Sequence, residues 1–453
     1  MSDLSETPSA PHKDQDLTYK IHTFGCKVNT YDTSLLQSKI SALKPNEGEK
    51  EVHVHILNSC AVTHEATKEA GKLARTLKRQ DKNAMVVLTG CAAQVDKKFF
   101  KDNQDIDLIV GNSHKGDLEG LILKKLNHEM DEKTHQSNIF KKEDLEFGAG
   151  LEASHTRAFL KIQDGCNSFC SFCVIPFARG KSRSVEIQKL VGKVNEFYEK
   201  GLREVILTGV HVGDYEDQDK RLEDLIEALL ADTDMPRFRL TSLEPIELSD
   251  RLLDSYKNPR MCPHFHMSIQ SAQTRVLKDM KRKYTAEDVK RSLQKIAQYV
   301  PNAFVGMDVI VGFPGETEAE FRETYDRLAS LPWTRIHVFP YSPRPQTRAL
   351  MMEGGHDRSL ILERSKQLRE LSHQRWNSEA MKQVGTTKEV LLLSKNTDQY
   401  THSLSRDYWN VLIDESDLQK ATLDPMSQEL KVQITEAFPT HNGQGYLKAR
   451  VVL

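Results

Sequence analysis

Three cysteines fall within eight residues of this 453-residue chain: Cys166, Cys170 and Cys173, in the run Cys-Asn-Ser-Phe-Cys-Ser-Phe-Cys. A four-iron cluster has an iron at each of four corners and takes one thiolate at each. Three thiols on one loop can cap three corners and leave one iron open. An iron with an open position can bind and activate a small molecule. A structural zinc site is instead closed by a fourth ligand, and no Cys or His occurs in the thirty residues after Cys173. The loop also admits a zinc ion completed by a distant ligand, or three unrelated thiols.

Three further cysteines stand far apart, each after a segment predicted to be a strand. Residues 18–24 end at Gly25-Cys26, residues 52–57 at Asn58-Ser59-Cys60, and residues 84–89 at Gly90-Cys91. A fourth predicted strand, 106–110, ends at Gly111-Asn112. Helical patterns over 31–42 and 64–80 separate them, the alternation of a doubly wound parallel α/β domain, here over 18–127. In such folds the loops at the carboxyl ends of strands converge on the ligand crevice. The three thiols can therefore meet at one edge and hold a second cluster. Alternatively each is a small residue in a tight turn, because free Cys is common in cores. The helix over 64–80 carries Lys68, Lys72, Arg75, Lys78 and Arg79, a solvated face or one that meets RNA phosphates.

Residues 128–151 are polar and aperiodic and are expected to be a linker. The segment 158–163 is a predicted strand running into the Cys166 loop. Further strands are expected at 204–208, 237–241, 264–269, 304–311 and 335–339, alternating with helices. Six β/α units over 152–383 fall short of the eight of a full barrel and predict a partly open (β/α)6 barrel. Polar or glycine-rich residues follow nearly every strand: Gly209 and His211, Ser242 and Glu244, Gln270, Gly312 to Glu316, then Tyr341 and Arg344. Barrel active sites form at that end. From 384 to 453 only short strands are expected, the pattern of a small C-terminal β-barrel of a kind often used to hold nucleic acid. In it, Tyr408 and Trp409 offer rings for stacking on bases or for the core. Cys262 lies outside both trios and is expected to be structural.

The composition is that of a globular chain, 38% apolar and 28% charged. No apolar run reaches the length of a membrane span. The polar residues 1–17 lack the apolar stretch of a signal peptide and are expected to be a disordered tail. Seven cysteines without such a signal suit a reducing, cytoplasmic setting and metal chemistry. A net charge of −2 leaves any RNA contact to local basic patches.

The Cys-x3-Cys-x2-Cys spacing resembles the signature of radical S-adenosylmethionine (SAM) enzymes. With the domain order it resembles, over residues 18–453, the radical SAM methylthiotransferases: an N-terminal three-cysteine domain, a radical SAM core and a C-terminal TRAM domain. The segments that carry the likeness are Gly25 to Asn29, Asn58 to Thr63, Thr89 to Gln94, Gln163 to Gly180, Thr208 to His211, Ser242 to Pro245 and Gly312 to Thr317. Lys27-Val28, Gln163-Asp164-Gly165, Val210-His211 and His337 to Ser342 are most similar to the MtaB-type tRNA branch. That branch adds a methylthio group to carbon 2 of N6-threonylcarbamoyladenosine beside the tRNA anticodon.

The resemblance implies two 4Fe–4S clusters, SAM as cofactor and tRNA as substrate, with an electron donor and a sulfur source of unnamed identity. Cys166, Cys170 and Cys173 would bind the cluster that cleaves SAM. Cys26, Cys60 and Cys91 would bind the auxiliary cluster, which holds the sulfur that is methylated and transferred. Phe172, Gly209, Glu244, Gln270 and Gly312 would surround SAM, and Arg179 and His211 would face the substrate. Ser268 and Ala272 stand where the family usually has Pro and Gly, and Gln346 where Gly usually precedes Thr347. These departures bear on the pocket's shape. Relatives acting on isopentenyladenosine or a ribosomal-protein aspartate, and a non-catalytic zinc and RNA-binding protein, are the other readings.

Overall fold

The structure, a computed structural model, describes residues 17–46, 48, 51–148, 156–396, 399–419, 429–438 and 445–452. The expected tail, residues 1–16, lies outside them. Two compact units emerge: Met1–Lys142 with Phe177–Arg179, and Glu143–Pro176 with Gly180–Leu453.

The first unit is built on six parallel strands: β1 (Thr18–Thr23), β2 (Lys44–Pro45), β3 (Val54–Ser59), β4 (Met85–Gly90), β5 (Leu108–Gly111) and β6 (Thr134–His135). Their order is β2-β1-β3-β4-β5-β6. β3 and β4 are buried at every position, so they read as unbroken apolar runs. The order reverses between β1 and β3, the switch point at which doubly wound sheets open a crevice. Helix α1 (Lys27–Lys39) starts four residues earlier than the sequence pattern indicates, because Cys26 itself serves as its N-cap. Helix α2 (His64–Gln80) is capped by the Thr63 hydroxyl, which accepts from the Ala66 amide, and buries Ala70, Ala74 and Leu77. Of its basic residues, Lys78 is tied to Asp107 at 2.8 Å, while Arg75 stays exposed. Part of the expected linker joins this sheet, since β6 pairs with β5 at its edge.

In the second unit β7 (Arg157–Lys161), β8 (Gln163–Asp164) and β9 (Arg183–Ser184) frame the Cys166 loop. The main strands continue as β10 (Glu204–Thr208), β11 (Phe238–Leu240), β12 (His264–Gln270), β13 (Phe304–Val311) and β14 (Arg335–Pro340). They form two parallel sheets, β11-β10-β7 and β12-β13-β14. Single bridges from Phe238 to Met261 and from Leu243 to Met267 join the sheets, giving the expected six-stranded wall. The Ser268 amide donates to the Leu243 carbonyl at 2.8 Å, a bond that a proline there would lack.

The C-terminal strands β15 (Thr387–Asn396), β16 (Tyr400–Ser405), β17 (Asn410–Asp414), β18 (Glu429–Phe438) and β19 (Tyr446–Val451) close into a barrel in the order β15-β16-β17-β19-β18. β16 has no apolar run in the sequence to mark it. Its buried positions are mostly hydroxyls (Thr401, Ser403 and Ser405) rather than apolar side chains, and Ser403 donates to the Val411 carbonyl at 2.9 Å. The barrel core takes Trp376 and Ala380 from helix Arg358–Met381 and Phe304 from β13. Trp409 lies against Phe304 and Trp376, and Tyr408 stacks on His264 with ring centres 4.0 Å apart. Both rings are spent on packing.

This barrel sits on the amino ends of the parallel strands, opposite the Cys166 loop. There Glu204 meets Arg237 at 2.8 Å and Arg239 at 3.1 Å, all three side chains fully buried. Arg237 also reaches Glu429 at 2.9 Å and the Leu404 carbonyl at 3.1 Å. Burial resists ionisation of Glu204, but Arg239, Arg237 and Arg157 outweigh it and hold the carboxyl far below the usual carboxylate range. Cys262 is buried beside the same arginines.

Candidate active site

In the first unit Cys26, Cys60 and Cys91 follow β1, β3 and β4, three neighbouring strands, on one edge at the switch point. Two asparagines stitch the edge together. Asn29 donates to the Phe24 and Ser59 carbonyls at 2.9 and 3.0 Å, and Asn58 donates to the Asn29 carbonyl and the Thr33 hydroxyl at 3.0 Å each. Gly25 has φ +86°, and a Cβ there would stand 2.6 Å from the Cys60 sulfur. Gly90 has φ +91° and leaves no room for a Cβ against the Ser59 carbonyl. The glycine before Cys26 and the one before Cys91 therefore let the edge close.

Burial pushes the Cys60 thiol up to about 12, and the nearby Cys91 and Cys26 sulfurs add to the rise. Cys91 is raised by burial as well, with Arg179 and Lys115 opposing. Lys115 and Arg179 each contact the Asp32 carboxylate at 3.1 Å, and Lys115 also donates to Asn58 at 3.0 Å. Arg179 is 3% exposed and donates to Asn29 at 2.6 Å. Expected to face substrate, it is instead buried among residues that shape the N-terminal cysteine edge. Lys115 and Asp32 carry no motif and were not expected.

In the second unit Gln163 anchors the Cys166 loop, donating to the Gly165 carbonyl at 2.7 Å and accepting from the His211 amide at 2.9 Å. The Cys166 amide donates to the Gly180 carbonyl at 3.1 Å. Gly165 has φ +77°, and a Cβ there would lie 2.0 Å from the Lys181 carbonyl oxygen. Gly165→Ala is therefore expected to displace the loop and to lower bound iron severalfold. Iron and sulfide assay of the anaerobically reconstituted variant checks this, and full loading would refute it.

His211 reaches the loop itself. Its Nδ1 is 4.0 Å from the Cys166 sulfur, and its Nε2 is 2.5 Å from Glu247 and 3.4 Å from Glu244. Burial alone would depress the imidazolium, but hydrogen bonds to Cys166 and Glu247 push its pKa up to about 11. Burial likewise opposes the Cys166 thiolate, but His211 and Ser168 outweigh it and hold that thiol below its ordinary value. Arg282 donates to the Cys170 sulfur at 3.0 Å and pairs with Glu244 at 3.0 Å. Burial pushes Cys173 up to about 12, helped by Cys170. Arg282 and Glu247 escaped the sequence reading. Arg282 follows no strand end, and Glu247 belongs to a one-turn helix after Glu244.

Around the loop, Ser242 just after β11 and Gln270 at the end of β12 are at φ +61° each, and Phe169 within the loop is at φ +45°. Such non-glycine residues cluster where surrounding structure imposes them, often at functional sites. Phe172 packs with Phe313 and Ile310 in one apolar cluster. Gly209 lies against Gln163, where a Cβ would meet Oε1 at 2.9 Å, and Gly312 lies against Ile361 at φ +72°. Gln346 keeps the left-handed turn at φ +65° without glycine's freedom, at a cost of roughly 1 kcal/mol.

Each cysteine set offers three thiols, the number that caps three corners of a four-iron cube and leaves one open. Three thiolates on one zinc stand about 3.8 Å apart, given Zn–S bonds of about 2.3 Å. Among the described residues, the trio of His, Cys, Asp or Glu ligand atoms lying within 4.8 Å of one another is His211, Glu244 and Glu247. Neither cysteine set brings its three sulfurs within that distance of one another. Buried thiols with raised pKa values are also what a cationic iron centre relieves. With its imidazole charged, the His211 trio is an ion-pair cluster.

Residues 160–328 match the Radical SAM superfamily, and residues 18–111 match Uncharacterized protein family UPF0004. The chain is 35% identical to Threonylcarbamoyladenosine tRNA methylthiotransferase MtaB of Aquifex aeolicus, covering 83% of this chain and 92% of that one. It is 33% identical to the protein of the same name in Bacillus subtilis, covering 94% and 96%. A tRNA-2-methylthio-N(6)-dimethylallyladenosine synthase of Corynebacterium jeikeium is 31% identical over 86% of this chain and 79% of that one. The fold is similar to that of the radical S-adenosylmethionine methyltransferase TsrM from Kitasatospora setae, with a TM-score of 0.55 at 14% identity over 74% of this chain and 77% of that one.

Proposed function

The chain belongs to the radical SAM methylthiotransferases of the MtaB type, and from that premise we propose that it adds a methylthio group to carbon 2 of N6-threonylcarbamoyladenosine in tRNA. As a radical SAM enzyme it uses SAM and a 4Fe–4S cluster. The observation that carries the proposal is the pair of three-thiol edges, one at the switch point of a doubly wound sheet and one at the carboxyl ends of the barrel strands. Cys166, Cys170 and Cys173 hold the first cluster, with Phe172, Gly209, Glu244, Gln270 and Gly312 around SAM. Cys26, Cys60 and Cys91 hold a second cluster and with it the sulfur to be transferred. Bound to these sites, SAM and the clusters supply a deoxyadenosyl radical and a methylated sulfur, the chemistry needed at a base carbon with no acidic proton.

The chain's own residues do the positioning. Gln163 fixes the start of the loop and the His211 backbone together. Arg282 and His211 bring positive charge to the Cys170 and Cys166 sulfurs, which lowers the free energy of gathering thiolates in a partly buried place. His211 thus serves the cluster loop rather than the substrate, and the C-terminal barrel supplies RNA contacts from its outer surface.

Nucleoside mass spectrometry of tRNA from a strain lacking the protein tests this. The 2-methylthio form of threonylcarbamoyladenosine is expected to vanish while threonylcarbamoyladenosine accumulates, and restoring the gene reverses both. Loss of methylthio-dimethylallyladenosine instead would overturn the substrate and keep the reaction class.

A further inference from the structure

Helix α2 begins at the cysteine edge of the first unit, with His64, its first residue, four places after Cys60. Thr67, Ala70, Gly71, Ala74 and Leu77 form its buried side. Lys68, Lys72, Arg75 and Arg79 recur at steps of four, three and four. At 3.6 residues per turn those steps gather them within about 60° on the outward side, in a row about 17 Å long. Lys68 pairs with Glu65 at 3.4 Å and Arg75 with Asp105 at 3.6 Å, surface pairs of the kind that hold weakly. Lys72 and Arg79 are exposed and have no ion-pair partner among the described residues.

A second feature lies beside this row. The short helix Lys97–Phe100 is fixed against α2 by the Thr67 hydroxyl, which donates to the Asp96 carboxylate at 2.7 Å. Phe100 is fully buried, so it meets the local need for apolar packing. Phe99 instead stands over Gly71, where a Cβ would meet its ring at 3.5 Å, and edge-on to His64 with ring centres 6.1 Å apart. It remains 44% exposed. Lys97, Lys98 and Lys101 beside it are exposed, again without ion pairs among the described residues. The acids of these two segments are Glu65, Glu69, Asp96, Asp102 and Asp105, fewer than the cations. In a chain with a net charge of −2, this is a local excess of positive charge around an exposed ring.

The position follows from the chemistry. If the sulfur is held by Cys26, Cys60 and Cys91, the base that receives it must come to that edge. The RNA on either side of the base then runs over the surface around the edge. Lys68 lies about 6 Å along α2 from His64, and Arg79 about 22 Å. An acidic protein would also match the charge. A row of cations with an exposed ring beside it fits a nucleic-acid strand better, because each nucleotide offers both a phosphate and a base face.

We propose that the outward face of α2 is a docking surface for the substrate RNA. Lys68, Lys72, Arg75 and Arg79 take phosphates of the anticodon arm, and a base near the modified one stacks on Phe99 beside Lys97 and Lys98. This rests on the tRNA reading above and places an RNA surface outside the C-terminal barrel. Phosphate contacts of this kind set register and orientation without reading sequence.

The test uses full-length, anaerobically reconstituted protein and an anticodon stem–loop RNA carrying threonylcarbamoyladenosine, with Kd measured by fluorescence anisotropy across a salt series. Lys72→Gln combined with Arg79→Gln is expected to weaken binding roughly tenfold at low salt. It also flattens the plot of log affinity against log salt by about one unit for each charge removed. Phe99→Leu, which keeps an apolar side chain over Gly71, weakens binding roughly fivefold or more without moving the slope, and Phe99→Tyr restores it. Bound iron stays at the parent value in each variant, which separates a lost contact from a lost fold. Lys290→Gln combined with Lys366→Gln, exposed cations of the second unit, leaves the slope where it was. A slope unchanged in the Lys72 and Arg79 variant, or lowered equally by the control pair, overturns the proposal. If RNA binding is unchanged but reduction of the clusters by an acidic flavodoxin slows, the face serves an electron donor and the proposal is likewise overturned. In those cases the tRNA reading stands. If the unaltered protein binds the stem–loop no better than an unrelated hairpin of the same length, both fall.

Discussion

Replacing Cys60 by alanine abolishes methylthio transfer, while reductive cleavage of SAM stays measurable and bound iron falls from roughly eight to roughly four per chain, one cube's worth. The Cys60 side chain is buried, and alanine keeps its Cβ, so little beyond the ligand is lost. Cys170→Ala is expected to remove both activities, because its sulfur belongs to the loop that Gln163 and Arg282 hold. Iron assay, chromatography of deoxyadenosine and nucleoside mass spectrometry read the outcomes separately. A Cys60→Ala protein that still transferred sulfur would end the two-cluster mechanism.

The second large effect lies at the other end of the barrel. Glu204→Gln is expected to destabilise the second unit by about 3–5 kcal/mol, because it leaves Arg237 and Arg239 buried with a missing counter-charge. Arg237 would retain Glu429, but Arg239 would lose the carboxylate it pairs with at 3.1 Å. Chemical denaturation of variant and parent under identical loading measures the change, and a loss below about 1 kcal/mol would show that the network is dispensable. The same geometry explains why deleting residues 384–453 is a poor probe of RNA binding. It would strip these arginines of the partners the barrel supplies, Glu429 and the Leu404, Ser405 and Arg406 carbonyls, whereas substitutions on the barrel's outer surface would not.

Both cysteine edges were legible in the sequence because strand ends and glycines punctuate them. Strands 204–208 and 304–311 and helix His64–Gln80 stand where their patterns indicate, since each is a periodic run with clear stops. Other features were hidden for physical reasons. β16 buries hydroxyls, so it gives no apolar signal. The Arg179 motif position is visible, but its destination depends on Asp32 and Asn29, about 150 residues away in sequence. Tyr408 and Trp409 look like base-stacking rings until packing assigns them to His264 and Phe304.

The Glu204 network also has a bearing on biosynthesis. Arg237 finds two of its partners, Leu404 and Glu429, 167 and 192 residues further along the chain. Chains emerge from the ribosome at about 5–20 residues per second, and earlier segments fold first. For roughly 10–40 s after Arg237 appears, its partner carbonyl and second carboxylate do not yet exist. Until then Arg237 has Glu204 as its ionic partner, and a chain interrupted before Glu429 lacks the second carboxylate. Burial of the strands' amino ends is thereby coupled to synthesis of the C-terminal barrel.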